Sequence, residues 1–274
     1  MTRKAELRRA IERGELELHY QPKVCIRTGR ITGAEALARW RTPERGFVPP
    51  HEFIRLAEES GLIVPLGEWV IDTACRHASV RWHEDANTEP RPEPIAVSVN
   101  MSPVQLLMHR PVDILQAAVN RHHLEPALLE IELTESTVVA DVHCATARLL
   151  EIAELGVRLA IDDFGTGYSN LSQLGRMPIS TLKIDRSLVT GIAVSRRDAV
   201  IVQAIIGMAH ALGMNVVAEG VEAASQLSAL QVSSCDEVQG YLIARPMDAT
   251  AFGNWLRRWD GKVVTEMTAA LFVP

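Results

Sequence analysis

The sequence is short of cysteine, of net positive charge and of long apolar runs, and each shortage closes a class of function. The four cysteines in 274 residues, Cys25, Cys75, Cys144 and Cys235, lie far apart and form no Cys-x-x-Cys pair. That spacing favours reduced core thiols over a disulfide or a zinc site. The net charge of -6 leaves no electrostatic footprint for duplex nucleic acid. A small phosphate ester stays within reach if a metal supplies the positive charge. The longest apolar stretch, Ala199–Gly213, is broken by Gln203 and His210. It falls short of the roughly 18 residues of a membrane span, so no membrane contact is expected of this segment. The opening MTRKAELRRAIERGELELHY is basic and helical but has no apolar core, so it is no signal peptide and a cytoplasmic location is expected. There is no internal repeat and no low-complexity tract. Asn87–Pro94 is rich in proline and charge and reads as a surface loop, not a boundary. The expectation is one domain over residues 1–274 with a core of about residues 7–260.

What is present is an alternation of β-branched runs and amphipathic stretches. Strands are expected at Leu16–Val24, Ile31–Leu37, Ile95–Val99, Leu129–Leu133, Val157–Ile161, Thr181–Ile184, Asn215–Ala218 and Glu237–Tyr241. Helices are expected at Pro50–Glu59, Pro65–His83, Pro111–His122, Val142–Leu155, Leu171–Gly175, Asp198–Leu212, Ala223–Leu230 and Ala249–Trp259. Such alternation argues for an α/β fold, a TIM-like (β/α)8 barrel. The first two strands are separated only by Arg27-Thr28-Gly29-Arg30. A parallel crossover needs a dozen or more residues, so they form a hairpin and the barrel has one antiparallel strand.

Acids and amides recur near the ends of these strands: Glu35, Asn100, Glu132 with Glu135, the pair Asp162-Asp163, Lys183 with Asp185, Glu219 and Gln239. For any single strand, a polar residue simply marks the exit from the core or caps the next helix. In a barrel all these ends converge on one rim, where active sites form. Carboxylates crowded there repel one another unless cations neutralise them. Oxygen ligands without His or Cys indicate Mg²⁺ or Mn²⁺. Adjacent aspartates suit two ions, the arrangement that drives in-line displacement at phosphorus. Lys183 is either a cation that holds a hydroxide or phosphate oxygen, or a salt-bridge partner of Asp162 or Asp163. Gly165-Thr166-Gly167 is a weak phosphate-loop signal and reads better as a lid or partner-contacting loop.

The motifs Tyr20-Gln21-Pro22, Glu35-Ala36-Leu37-Ala38-Arg39, Val99-Asn100-Met101-Ser102 and Glu132-Leu133-Thr134-Glu135-Ser136 resemble those of EAL-domain cyclic di-GMP phosphodiesterases. So do Asp162-Asp163-Phe164-Gly165-Thr166-Gly167-Tyr168-Ser169, Leu182-Lys183-Ile184-Asp185, Ala218-Glu219-Gly220-Val221-Glu222 and Gln239-Gly240-Tyr241. The resemblance spans about Leu7 to Met247. It implies one ion on Glu35, Asn100, Glu132 and Asp162, and a second served by Asp162, Asp163 and Glu219. It implies that Lys183 orients the nucleophilic water, and that Gln21, Leu37, Arg39 and Gln239 hold the dinucleotide. Glu135 would anchor the loop containing Gly165, Thr166 and Gly167, and Glu222 would assist the second ion. The implied reaction converts cyclic di-GMP to linear pGpG with Mg²⁺ or Mn²⁺. Larger, more flexibly coordinated Ca²⁺ is expected to inhibit by loosening the two-ion geometry. A homodimer is implied; family members often follow a GGDEF or sensory domain, so the chain is either part of a longer parent or a free-standing enzyme. The competing readings are a cyclic di-GMP receptor that has lost catalysis and a barrel metalloenzyme for another phosphate ester. Degenerate members lose the signature Glu, an Asp of the pair, the Lys or the loop, and this sequence keeps all of them. Ala38, Asn170 and Cys25 depart from the usual family residues without removing a ligand.

Overall fold

The barrel follows from alternation within its strands. In a strand, successive side chains point to opposite faces. Leu129, Ile131 and Leu133 are fully buried on one face of their strand, while Glu130 and Glu132 occupy the other. Val97 and Val99 alternate with Ser98 and Asn100 in the same way. The apolar set faces the surrounding helices and the polar set faces the barrel interior. Each buried Leu, Ile or Val contributes about 1.5–3 kcal/mol, so the outer shell carries the stability. The interior, which in most such barrels is filled by branched apolar residues, is here left to charge.

The computed structural model describes residues 3–42, 46–81, 94–108, 110–135, 137, 142–166 and 174–265. The strands are β1 (Leu16–Cys25), β2 (Ile31–Thr42), β3 (Gly46–Val48), β4 (Ala96–Asn100), β5 (Leu129–Thr134), β6 (Arg158–Phe164), β7 (Thr181–Ile184), β8 (Asn215–Ala218), β9 (Glu237–Val238) and β10 (Met247–Asp248). The barrel runs β1-β2-β4-β5-β6-β7-β8-β9 and closes back on β1. β1 is antiparallel to both β2 and β9, and every other barrel pairing is parallel. The expected hairpin and single reversed strand are both present.

Some boundaries differ from the expectation. β2 continues to Thr42, because Trp40–Thr42 pair with β3 outside the barrel. Its pairing with β4 ends at Ala36, so Glu35 lies mid-strand yet near the end of the barrel portion. The last barrel strand stops at Val238, not Tyr241. There the chain turns against Val221: a side chain on Gly240 would meet the Val221 carbonyl oxygen at 2.2 Å. The helix at Ile63–Arg76 gives way to a π-helical turn at His77–Arg81. The short helices Pro103–Met108 and Arg186–Gly191, too brief to show a period, were not expected. The expected helix at Leu171–Gly175 and the loop at Asn87–Pro94 fall largely outside the described residues. Cys75 and Cys235 are buried thiols, pushed up to about 12 by burial, and form no disulfide. No helix among the described residues is long and apolar enough to cross a membrane.

Candidate active site

The register of the strands builds the site. Residues paired across strands share a face, and Gln21, Glu35, Ser98, Glu130 and Arg158 are successive partners along one interior row. Asn100 and Glu132 are partners in a second row, which continues to Ala160. Thr134 pairs with Asp162 one step higher. The acidic groups therefore meet because their strands are staggered around a closed barrel.

Asp162 and Asp163 are consecutive, so a regular strand would send them to opposite faces. The pairing with β7 slips between Ile161 and Phe164, which is a bulge at the aspartate pair. Asp163 takes a φ of 55° within it, and its N–H donates to Asp162 Oδ1 at 2.9 Å. A bulge re-aims side chains in this way. Two acidic clusters result: Glu35, Glu132 and Asp162 in one, Asp162, Asp163 and Glu219 in the other, each with carboxylate oxygens within 4.8 Å. Asp162 belongs to both.

Lys183 has no solvent exposure and stands among them. Its Nζ lies 2.6 Å from Glu219, 2.7 Å from Glu132, 3.1 Å from Asp162 and 3.5 Å from Glu35. Burial alone would lower its pKa, but Glu132, Glu219, Glu35 and Asp162 outweigh it, and the ammonium is held well above its ordinary value. One lysine does not balance these acids. Burial raises Glu35, and Glu132 and Asp162 add to the rise against Lys183. Burial also raises Asp162, and Asp163 is raised by burial and then by Asp185. Glu219 is pushed up to about 8, by burial foremost. Glu132 goes the other way: burial would raise it, but Lys183 and Lys23 hold it well below the usual carboxylate range. A surplus of carboxylates with raised pKa values, buried at Glu35 and Asp162, half-buried at Glu219 and exposed at Asp163, fits one or two hard divalent cations.

Asn100 Nδ2 donates to Glu35 Oε1 at 2.8 Å. Leu37 and Arg39 line a cleft of about 510 Å³ that also reaches Asn100. Gln239 is buried and donates to Glu35 Oε2 at 2.7 Å and to Gln21 Oε1 at 3.1 Å. Neither amide is part of the lining of this cleft. The Gln239 side-chain oxygen Oε1 has no hydrogen-bond partner among the described residues. Glu135 accepts from the Gly165 N–H at 3.3 Å, and Thr166 Oγ1 donates to the Asp163 carbonyl at 2.9 Å. Gly165 has a φ of 100°, and a side chain there would meet Leu188 at 2.5 Å. Gly167 lies outside the described residues. Glu222 is outside both clusters and pairs with Arg186 at 3.0 Å.

Two interior charges escaped the sequence reading. Lys23 Nζ donates to Glu130 Oε1 at 2.6 Å and to Glu132 Oε1 at 2.8 Å, and both Lys23 and Glu130 are buried. Their signal was the strand period: Lys23 stands two residues from Gln21, and Glu130 two from Glu132.

Fold and site together define a barrel with one reversed strand and an acidic, cation-ready mouth. The chain belongs to the EAL domain family, whose model matches residues 4–246. It is 43% identical over 244 residues to the bifunctional diguanylate cyclase/cyclic di-GMP phosphodiesterase MucR of Pseudomonas aeruginosa, covering 89% of this chain and 35% of that protein. It is 40% identical over 253 residues to the cyclic di-GMP phosphodiesterase PdeR of Escherichia coli, covering 92% of this chain and 37% of that one. The chain thus spans about a third of the length of these relatives. The solved c-di-GMP complex of the PaMucR phosphodiesterase superposes with a TM-score of 0.84 at 42% identity, over 90% of this chain and 98% of that one.

Proposed function

We propose that this domain hydrolyses one 3′–5′ phosphodiester of cyclic di-GMP to linear pGpG, with two divalent cations at the shared acidic clusters. The observation that carries this reading is the division of the acids into two clusters joined at Asp162. The PaMucR complex and the names of MucR and PdeR support the substrate. When bound, Mg²⁺ or Mn²⁺ would activate water and offset charge on the phosphodiester.

The protein groups divide the remaining work. Glu35, Asn100, Glu132 and Asp162 would hold one ion, and Asp162, Asp163 and Glu219 the other. Lys183 keeps its proton throughout the working pH range and would orient the attacking water or hold a phosphate oxygen. The hydroxyl of that water goes to phosphorus and its proton to the departing 3′ oxygen. Arg39 would hold a phosphate from the cleft wall, with Leu37 as its apolar neighbour. Gln239 and Gln21 would bring amides to the substrate beside Glu35. Glu135, through Gly165, would hold the loop that follows the aspartate pair. A homodimer, and a longer parent chain with a GGDEF or sensory domain, belong to the same proposal; the relatives' greater length supports the latter.

The test is turnover of cyclic di-GMP by purified protein with Mg²⁺ or Mn²⁺, read as pGpG by chromatography. Metal-loaded protein that binds cyclic di-GMP and forms no pGpG would be a receptor. Faster turnover of another phosphate ester would reassign the substrate.

A further inference from the structure

Beneath the acidic clusters lies a second layer of buried charge that the proposed reaction leaves without a role. Thr181 Oγ1 donates to Glu130 Oε2 at 2.9 Å, and Lys23 joins Glu130 Oε1 to Glu132 Oε1. Glu132 then accepts from Lys183 through its other oxygen, Oε2. The side chains of Lys23, Glu130 and Glu132 are 5%, 6% and 0% exposed. Taking such groups out of water is costly, and apolar residues of similar volume would be at least as stable. A chain that retains a fully bonded charged network here gains something other than stability.

The geometry indicates what that is. Glu132 has two carboxylate oxygens and a buried cation on each. Lys23 reaches Oε1 from the lower layer, whose other wall is a cavity of about 270 Å³ at the opposite mouth of the barrel, lined by Ser98, Arg158 and Glu237. Oε2 faces the clusters with Glu35 and Asp162. Turning Glu132 away from this pose breaks the 2.8 Å contact with Lys23. Glu130, held in turn by Thr181, keeps Lys23 from swinging into the clusters.

We propose that Lys23 is a positioning residue of the cation site, fixing Glu132 by one oxygen so that the other is aimed at the ion. The inference rests on the two-cation reading above. Partners of metal ligands are worth about 10–100-fold in metal affinity.

The test measures Mn²⁺ binding directly, by electron paramagnetic resonance titration, and so does not depend on turnover. Lys23→Met with Glu130→Gln removes the ammonium without stranding the lower carboxylate. At least tenfold weaker Mn²⁺ binding is expected, with near-ultraviolet circular dichroism retained. An unchanged isotherm overturns the proposal, as does a variant that loses thermal stability alone. If that variant does not fold, Lys23→Gln with Glu130→Gln keeps a donor for Glu132 Oε1. It should bind Mn²⁺ at least threefold more weakly than wild type, and equal binding overturns the proposal. Wild-type protein that binds no Mn²⁺ defeats the two-cation reading itself; wild-type binding matched by the variants defeats only the role of Lys23.

Discussion

Lys183 Nζ lies 2.6 Å from Glu219 Oε1, yet this contact leaves Glu219 protonated across much of the neutral range. Burial raises the carboxyl to about 8, Lys183 opposes that rise, and Asp162 and Glu35 add to it. One buried ammonium is shared among four carboxylates, and only Glu132, which Lys23 also contacts, is held below its ordinary value. A cation bound at this site would compete with the Glu219 proton.

The first prediction is a pH dependence with a definite sign. Glu219 has a folded pKa of about 8 against an ordinary 4.5. The folded chain holds a proton that the unfolded chain releases in that interval, so this stability is full below about 4.5 and lost as pH rises through about 8. Glu132 shifts downward and acts only at lower pH, outside the window. In chelator, Tm should fall from pH 5 to pH 8. With saturating Mg²⁺ the fall should vanish, and Mg²⁺ affinity should rise over the same interval. Thermal unfolding by circular dichroism checks both; a Tm that climbs in chelator refutes the assignment.

Lys183→Met should separate the two duties of this lysine. Removing one partner of a buried ionic cluster costs about 3–5 kcal/mol. Metal-free variant should lose that much in denaturant titration, and Mg²⁺ should restore part of it by neutralising the same acids. Turnover should stay lost even when Mg²⁺ has restored the fold. Unaltered stability in chelator would show that the carboxylates do not depend on Lys183.

The barrel and most of the site were legible because each rests on a local rule. Arg27-Thr28-Gly29-Arg30 is too short for a crossover, which fixed the reversed strand. Glu132 and Asp162 were visible because they interrupt apolar runs. Lys23 was not, since a lysine in Gln21-Pro22-Lys23-Val24 looks like a solvated edge until closure buries it. The bulge was hidden as well: nothing in Ile161-Asp162-Asp163-Phe164 declares that Asp163 adopts a positive φ. The position of Glu222 depended on Arg186, which lies on a helix too short to show a period.

Glu35→Ala removes a carboxylate of the first cluster and the acceptor for both Asn100 and Gln239. Turnover to pGpG should fall by far more than the roughly 10–100-fold typical of groups that only support a ligand. A wild-type rate in this variant would remove Glu35 from the cation site.

Ca²⁺ in place of Mg²⁺ should inhibit. Ca²⁺ takes longer, more variable bonds to more oxygens, whereas Mg²⁺ demands near-octahedral geometry at short distance. Carboxylates fixed within 4.8 Å of one another, with Glu132 gripped at both oxygens, favour the tighter ion. Adding Ca²⁺ to the Mg²⁺ assay should lower the rate, and full activity in Ca²⁺ alone would argue against closely spaced ions.

Asp163 offers a way to tell backbone from chemistry. Its φ of 55° is one that Asp and Asn tolerate better than other residues with a side chain. Asp163→Asn keeps that tolerance and removes the charge; Asp163→Ala loses both. Both substitutions relieve the crowding that raises the Asp163 carboxyl, so charge cancels in the comparison. The alanine variant should then be less stable than the asparagine variant by about 1 kcal/mol, the scale of left-handed strain. Turnover should be nearly abolished in both, because Asp163 is one of only three carboxylates in the second cluster among the described residues. Equal stability of the two would mean that the bulge does not need its φ, and a near-normal rate in Asp163→Asn would leave the second ion without this ligand.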